Sequence, residues 1–145
     1  MTRDPDTAAP VLEAESVSRH FDTGGGPVHA CRDVSLALQP GELVVLRGAS
    51  GSGKTTLLNL LAGIDRPDSG RVLVAGRDLA ELSERDLVAT RRADIGYVFQ
   101  SFGLIPILSA AENVEVPLRA VATPPAERDA RVAEVLELVG MSGHA

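Results

Sequence analysis

The run Gly48-Ala49-Ser50-Gly51-Ser52-Gly53-Lys54-Thr55, followed by Thr56, constrains this chain more than any other stretch. It fits the phosphate-loop pattern of Gly, four residues, Gly-Lys, then Ser or Thr. Glycines let the backbone pass close to an anion with no Cβ in the way. Successive N–H groups then form a concave nest for phosphate oxygens, and a helix starting at the end of the loop adds unpaired N–H groups and its positive dipole end. Lys54 supplies a mobile point charge for the β- and γ-phosphates of a nucleotide. The Thr55 hydroxyl suits Mg²⁺, which takes oxygen donors and keeps several waters. The context agrees. Leu43-Val44-Val45-Leu46 before the loop reads as a buried parallel strand. Leu57, Leu58, Leu60 and Leu61 after it read as an amphipathic helix that Gly63 can end. These flanking elements argue against a flexible Gly/Ser linker. A dinucleotide fingerprint fails, because its third glycine would fall on Thr56.

With 145 residues, one domain or less is expected. A hydrophobic content of 44% excludes a disordered chain. The net charge of −6 makes nucleic acid a poor partner. Cys31, the single cysteine, cannot form an intramolecular disulfide; it reads as a small apolar strand residue in a protein of a reducing cytoplasm. No apolar run approaches the ~20 residues of a membrane-spanning helix, so membrane association is expected only through a partner.

Along the chain, residues 1–10 read as a loose tail, and Val11 to Phe21 as a strand. Asp22 to Pro27 is a turn, Val28 to Ala30 and Val34 to Leu38 are short strands, and Pro40-Gly41 turns into the phosphate-loop strand. Arg66 to Gly70 is a turn, Arg71 to Ala75 a strand, and Gly76-Arg77-Asp78 another turn. Ser83 can cap a helix from Glu84 to about Arg91, with Asp86 as a near capping box. Ile95 to Phe99 reads as a strand. Ser109 and Glu112 form a capping-box candidate for a short helix that Pro117 limits. Thr123-Pro124 starts a long helix with Val132, Val135, Leu136 and Val139 on its apolar face, stopped by Gly140. Arg91, Arg92 and the charges of the last helix read as solvated faces, and His20, His29 and His144 as surface histidines.

These blocks together resemble the ATP-binding subunit of an ABC transporter. Arg19-His20-Phe21, a glycine turn and Val28 are similar to the adenine-stacking loop. Val34-Ser35-Leu36 with Pro40-Gly41-Glu42 is similar to the entry into the phosphate loop. Leu57 to Gly63, Pro67-Asp68-Ser69-Gly70 with Gly76, and Ile95 to Gln100 are similar to the following helix, turn and Q-loop strand. Leu104-Ile105-Pro106, Glu112-Asn113-Val114 and Pro117-Leu118 resemble the lipoprotein-release and macrolide-export branch.

The resemblance implies an α/β fold: a partial P-loop NTPase core with an N-terminal antiparallel β subdomain and the start of a helical subdomain, over residues 11–145. It implies ATP and Mg²⁺ as cofactors. Phe21 would stack on adenine, the alternative being a core residue of its strand, and Val28 would pack against the same base. Gly48, Ala49, Ser50, Gly51, Ser52, Gly53, Lys54, Thr55 and Thr56 would cradle the phosphates. Gln100 would reach Mg²⁺ and the attacking water, the alternative being a polar cap on a strand end. Residues 101–117 would dock on a membrane permease subunit at the inner face of the plasma membrane, and two ATP-binding subunits would form a homodimer around two ATP molecules. The family's Leu-Ser-Gly-Gly-Gln signature, the strand ending in Asp-Glu and the switch histidine do not occur in this sequence. The chain therefore reads as the N-terminal part of such a domain, with an open apolar edge beside the phosphate-loop strand and no group to activate water. A non-catalytic module that binds nucleotide or permease is one alternative. A soluble ABC ATPase outside transport is another, disfavoured by the absence of large insertions and by the Asn113-Val114 block.

Overall fold

The computed structural model describes residues 9–101 and 103–142. The tail expected over residues 1–10 lies outside them except for Ala9 and Pro10, as does His144. The chain forms two compact units, residues 1–95 and 96–145.

The first unit is built on a four-stranded antiparallel sheet in the order β2-β1-β3-β4. β1 (Leu12–Thr23) and β2 (Gly26–Leu38) form a hairpin, closed by the Thr23 hydroxyl donating to the Gly26 carbonyl at 2.7 Å. Ala14 and Val17 of β1 both face the core, although their odd spacing would put them on opposite faces of a regular strand. A bulge between them, with Ser16 at φ 48°, absorbs the difference. β3 (Ser69–Val74) approaches that bulge closely: a Cβ on Gly70 (φ +80°) would lie 2.4 Å from the carbonyl oxygens of Glu15 and Ser16. Ala75 and Gly76, both at positive φ, make the tight turn into β4 (Arg77–Asp78).

β2 is continuous where the sequence suggested two short strands. Bulges carry it past the polar Arg32-Asp33 pair. One of them places Ala30 as the extra residue opposite Arg19 and His20, which pair with Cys31 and His29.

Helix α1 (Lys54–Leu61) lays Leu57, Leu60 and Leu61 on the sheet, where they meet Val17, Cys31 and Val72 in the core. Helix α2 (Glu84–Asp94) adds Leu87 to the same core. Ser83 caps it, accepting from the Asp86 N–H at 3.2 Å. The Ser83 hydroxyl in turn donates to the Asp86 carboxylate at 2.6 Å. Acids fill the first turn and Arg91 and Arg92 the last, as the helix dipole favours.

Two expected strands do not form. Leu43–Leu46 and Ile95–Phe99 have no ladder partner among the described residues. A strand exists only through its neighbours, so here the backbone runs unpaired. Leu46 and Ile95 still pack on the core, whereas Leu43 is 88% exposed and Val98 96%.

The second unit is a helix pair. α3 (Ala110–Ala120) starts at a complete capping box, with Ser109 accepting from the Glu112 N–H and Glu112 accepting from the Ser109 N–H at 2.7 Å. Pro117 does not end α3 as expected but lies inside it. It withholds one N–H, while its own carbonyl accepts from Val121 N–H and keeps the helix going. α4 (Pro125–Leu138) begins with proline at its first position, where no N–H is needed. Gly140 follows at φ 71°. Glu115 ties the helices together, ion-paired at 2.9 Å with both Arg119 and Arg128. Asn113 fastens the preceding loop: its amide oxygen accepts from Ile105 N–H at 2.8 Å and its NH₂ donates to the carbonyls of Ile105, Leu108 and Ser109.

Candidate functional site

Residues 48–53 form a tight loop whose end is the start of α1. Gly53 occupies the N-cap position at φ 87°, ψ 4°, with no side-chain cap and no acid in the first turn of the helix. The first N–H groups of α1 and its dipole are therefore uncompensated by any side chain, an arrangement that favours an anion. Lys54 bends back over the loop and donates from Nζ to the carbonyls of Gly48 at 2.8 Å and Ala49 at 2.7 Å. Its cation is thus held at the loop by the loop's own backbone. Thr55 is exposed and Thr56 half-buried on the first turn of α1.

The loop is backed by β2. A Cβ on Gly53 would stand 1.9 Å from the Ala30 carbonyl oxygen, and Cys31 Sγ lies 3.9 Å from the Gly53 carbonyl. Burial pushes the Cys31 thiol pKa up, which suits a packing residue rather than a nucleophile.

Phe21 and Val28 face each other across β1 and β2 beside the hairpin turn. They are 40% and 52% exposed, so Phe21 is not a core residue of its strand. The Arg19 guanidinium stands over the Phe21 ring, 4.8 Å from its centroid. Arg19 is itself held from two sides. Nε and Nη2 donate to the Asp65 carboxylate at 3.1 Å each, and Nη1 donates to Asp68 at 2.8 Å. Asp68 also accepts from the His20 backbone N–H at 2.6 Å. That bond first, and Arg19 next, hold its carboxyl below the usual carboxylate range, while the bond to Asp68 raises Arg19. Asp65 and Asp68 lie between α1 and β3, so this cluster joins the Phe21 end of β1 to the exit of the phosphate-loop helix. Sequence reading placed Arg19 in the same block as Phe21 but assigned it no role. Its partners are 46 and 49 residues away in sequence, and no local pattern marks them.

Gln100 is exposed in a turn of the second unit, apart in sequence from the loop and the Phe21–Val28 pair of the first. In the same unit Leu104 and Ile107 are 66% and 90% exposed.

For Mg²⁺, the described residues hold no cluster of three or more His, Cys, Asp or Glu that could bind a metal. Mg²⁺ takes oxygen donors and keeps several waters, so it needs no such cluster, and the exposed Thr55 on the first turn of α1 offers a hydroxyl of that donor type.

Residues 31–145 match the ABC transporter family pattern. The chain is 42% identical over 134 residues to the macrolide export ATP-binding/permease protein MacB of Sodalis glossinidius, covering 92% of this chain and 20% of that protein. It is 46% identical over 136 residues to the pyoverdine export ATP-binding/permease protein PvdT of Pseudomonas entomophila, covering 93% and 21%. It is 44% identical over 131 residues to an uncharacterized ABC transporter ATP-binding protein of Thermotoga maritima, covering 90% and 56%. Among solved structures, the dimeric form of MJ0796, a bacterial ABC transporter cassette, superposes with a TM-score of 0.81 at 37% identity, covering 87% of this chain and 56% of that one. Its post-hydrolysis dimer bound to ADP and Pi gives 0.80. The chain thus spans about a fifth of the length of the MacB and PvdT relatives. A glycine loop capped by a helix N-terminus and crossed by Lys54, on a fold shared with transporter cassettes, belongs to a chain that is a member of the ABC transporter family.

Proposed function

We propose that this chain binds ATP·Mg²⁺ as the first part of an ATP-binding cassette that powers export or lipoprotein release. The phosphate loop carries the reading: a helix N-terminus without a side-chain cap, with Lys54 Nζ held 2.7–2.8 Å from two loop carbonyls. Gly48 to Thr56 take the phosphates, Thr55 supplies a hydroxyl to Mg²⁺, and Phe21 with Val28 forms an apolar platform for adenine. A bound Mg²⁺ would neutralise phosphate charge. By the family resemblance, Gln100 is the residue that would couple the nucleotide to the transporter.

The partners in this reading are a second ATP-binding subunit and a membrane permease. The likeness to dimeric cassettes supports the first. The names of the export ATP-binding/permease relatives and the exposed Leu104, Ile105 and Ile107 support the second. No helix among the described residues is long and apolar enough to cross a membrane; the place of action in this reading, taken from the family resemblance, is the cytoplasmic face, reached through the permease.

Calorimetric titration with ATP·Mg²⁺ is the test. Replacing Lys54 by Ala removes a charge-assisted contact of roughly 1.5–3 kcal/mol, about ten- to a hundredfold in affinity. Equal affinities for wild type and Lys54→Ala would refute the site.

A further inference from the structure

We propose that Arg19 is a positioning residue for the nucleotide base: a cation clamped behind Phe21 that fixes the ring and tunes its stacking. The inference rests on the reading of Phe21 as the base platform. Arg19 and Phe21 are two apart in β1 and so share a face of the strand. The guanidinium lies 4.8 Å from the ring centroid, within cation–π range, while the ring stays 40% exposed. A solvated arginine is mobile, but this one is not free to wander. It donates two bonds to Asp65 and one to Asp68, and Asp68 is pinned by the His20 backbone.

The clamp has two physical consequences. The ring loses rotamer freedom before any base arrives, so less entropy is lost when it stacks. The guanidinium also draws on the ring's π density, leaving the ring a better acceptor for an electron-rich purine laid against its open side. Because Asp65 and Asp68 follow α1, the clamp fixes the platform relative to the helix that carries Lys54 and Thr55. The effect should therefore appear only for ligands that have a base.

The experiment is a calorimetric double-mutant cycle on the full chain with Arg19→Met and Phe21→Ala, using ATP·Mg²⁺ and, as a ligand without a base, tripolyphosphate·Mg²⁺. Arg19→Met is expected to weaken ATP about three- to tenfold in the parent and less than about twofold in the Phe21→Ala background, with tripolyphosphate unchanged in both. Arg19→Lys, which keeps the cation but loses the fork to Asp65, should fall between. Circular dichroism reports folding, and if Arg19→Met fails to fold the same comparison is made with Arg19→Lys. Equal losses in both backgrounds, or a parallel loss of tripolyphosphate, would make Arg19 a merely structural residue and overturn the proposal. A loss at Phe21→Ala with none at Arg19 would overturn it while leaving the base platform intact. No loss at Phe21→Ala would overturn the platform itself.

Discussion

Gly53 Cα faces the Ala30 carbonyl so closely that a methyl group on Gly53 would sit 1.9 Å from that oxygen. The contact joins the end of the phosphate loop to the bulged residue of β2, and it explains why the last glycine of the loop must be glycine for more than its φ of 87°. A bulge re-aims the backbone locally, and here it brings a carbonyl against the N-cap of α1. Gly53→Ala meets both a left-handed φ, costing roughly 1–3 kcal/mol, and a backbone atom that cannot rotate away. Either the loop or β2 must shift. The expected result is a loss of ATP·Mg²⁺ affinity of more than about tenfold together with destabilisation of about 1–3 kcal/mol in urea unfolding. Gly51→Ala is the control. It shares a positive φ but has open space around its Cβ, so it should be milder on both measures. Equal effects at the two glycines would show that conformation alone matters and that the β2 contact does not.

Acid should test the clamp on Arg19. The Asp68 carboxyl is held below its usual range by the His20 N–H and then by Arg19. A depressed carboxyl binds its proton more readily in the unfolded chain, so its contribution is fully present above the ordinary carboxylate pKa of about 4 and is lost as pH falls through the lower folded value. Glu115, lowered by Arg119 and then Arg128, acts in the same direction in the second unit. Stability measured by urea unfolding between pH 6 and pH 3 should therefore decline on the acid side. Asp68→Asn should flatten that decline while lowering stability near neutrality. An unchanged acid slope in Asp68→Asn would dismiss the carboxylate as its source.

The caps, the phosphate loop and the glycine stops were legible because their signals are local. Ser109 with Glu112, Ser83 with Asp86, and Gly48 through Thr55 each act within a few residues: the first pair closes a full capping box, Ser83 caps α2 on one side only, and the glycine loop runs straight into α1. Leu43–Leu46 and Ile95–Phe99 misled for the opposite reason. An apolar run reports a tendency to be buried, but a strand is a property of at least two segments, and no ladder pairs with either run among the described residues. Pro117 misled because a proline costs one hydrogen bond without forbidding a helix whose cap and partner helix hold it. The Arg19 clamp was invisible because its partners lie 46 and 49 residues away, and the Ala30 contact because the bulge that makes it leaves no mark in a single sequence.

The capping box at Ser109 gives a third test, confined to the second unit. Ser109 and Glu112 satisfy one another's backbone N–H groups at the start of α3. Ser109→Ala should cost about 0.5–2 kcal/mol, and Ser109→Asp much less, because aspartate also accepts at an N-cap. Amide exchange would show the loss at the first turn of α3 and leave β1 and β2 unaffected. A loss spread evenly over the chain would mean that the two units unfold together.

The unpaired run before the phosphate loop sets the last prediction. Leu46 reaches the core, whereas Leu43, Val44 and Val45 are 88%, 41% and 64% exposed. Apolar, β-branched, uncharged and without a ladder, this stretch has the character of a strand edge that invites another strand. The chain alone should self-associate as its concentration rises. Leu43→Lys with Val45→Lys should suppress this, because a desolvated lysine pair opposes edge-to-edge pairing, and should leave far-ultraviolet circular dichroism nearly unchanged, since neither side chain is buried. Sedimentation velocity over a range of protein concentrations reads the outcome. If the double variant associates as strongly as the parent, the open run is not the sticking surface, and the exposed Leu104 and Ile107 of the second unit become the next candidates.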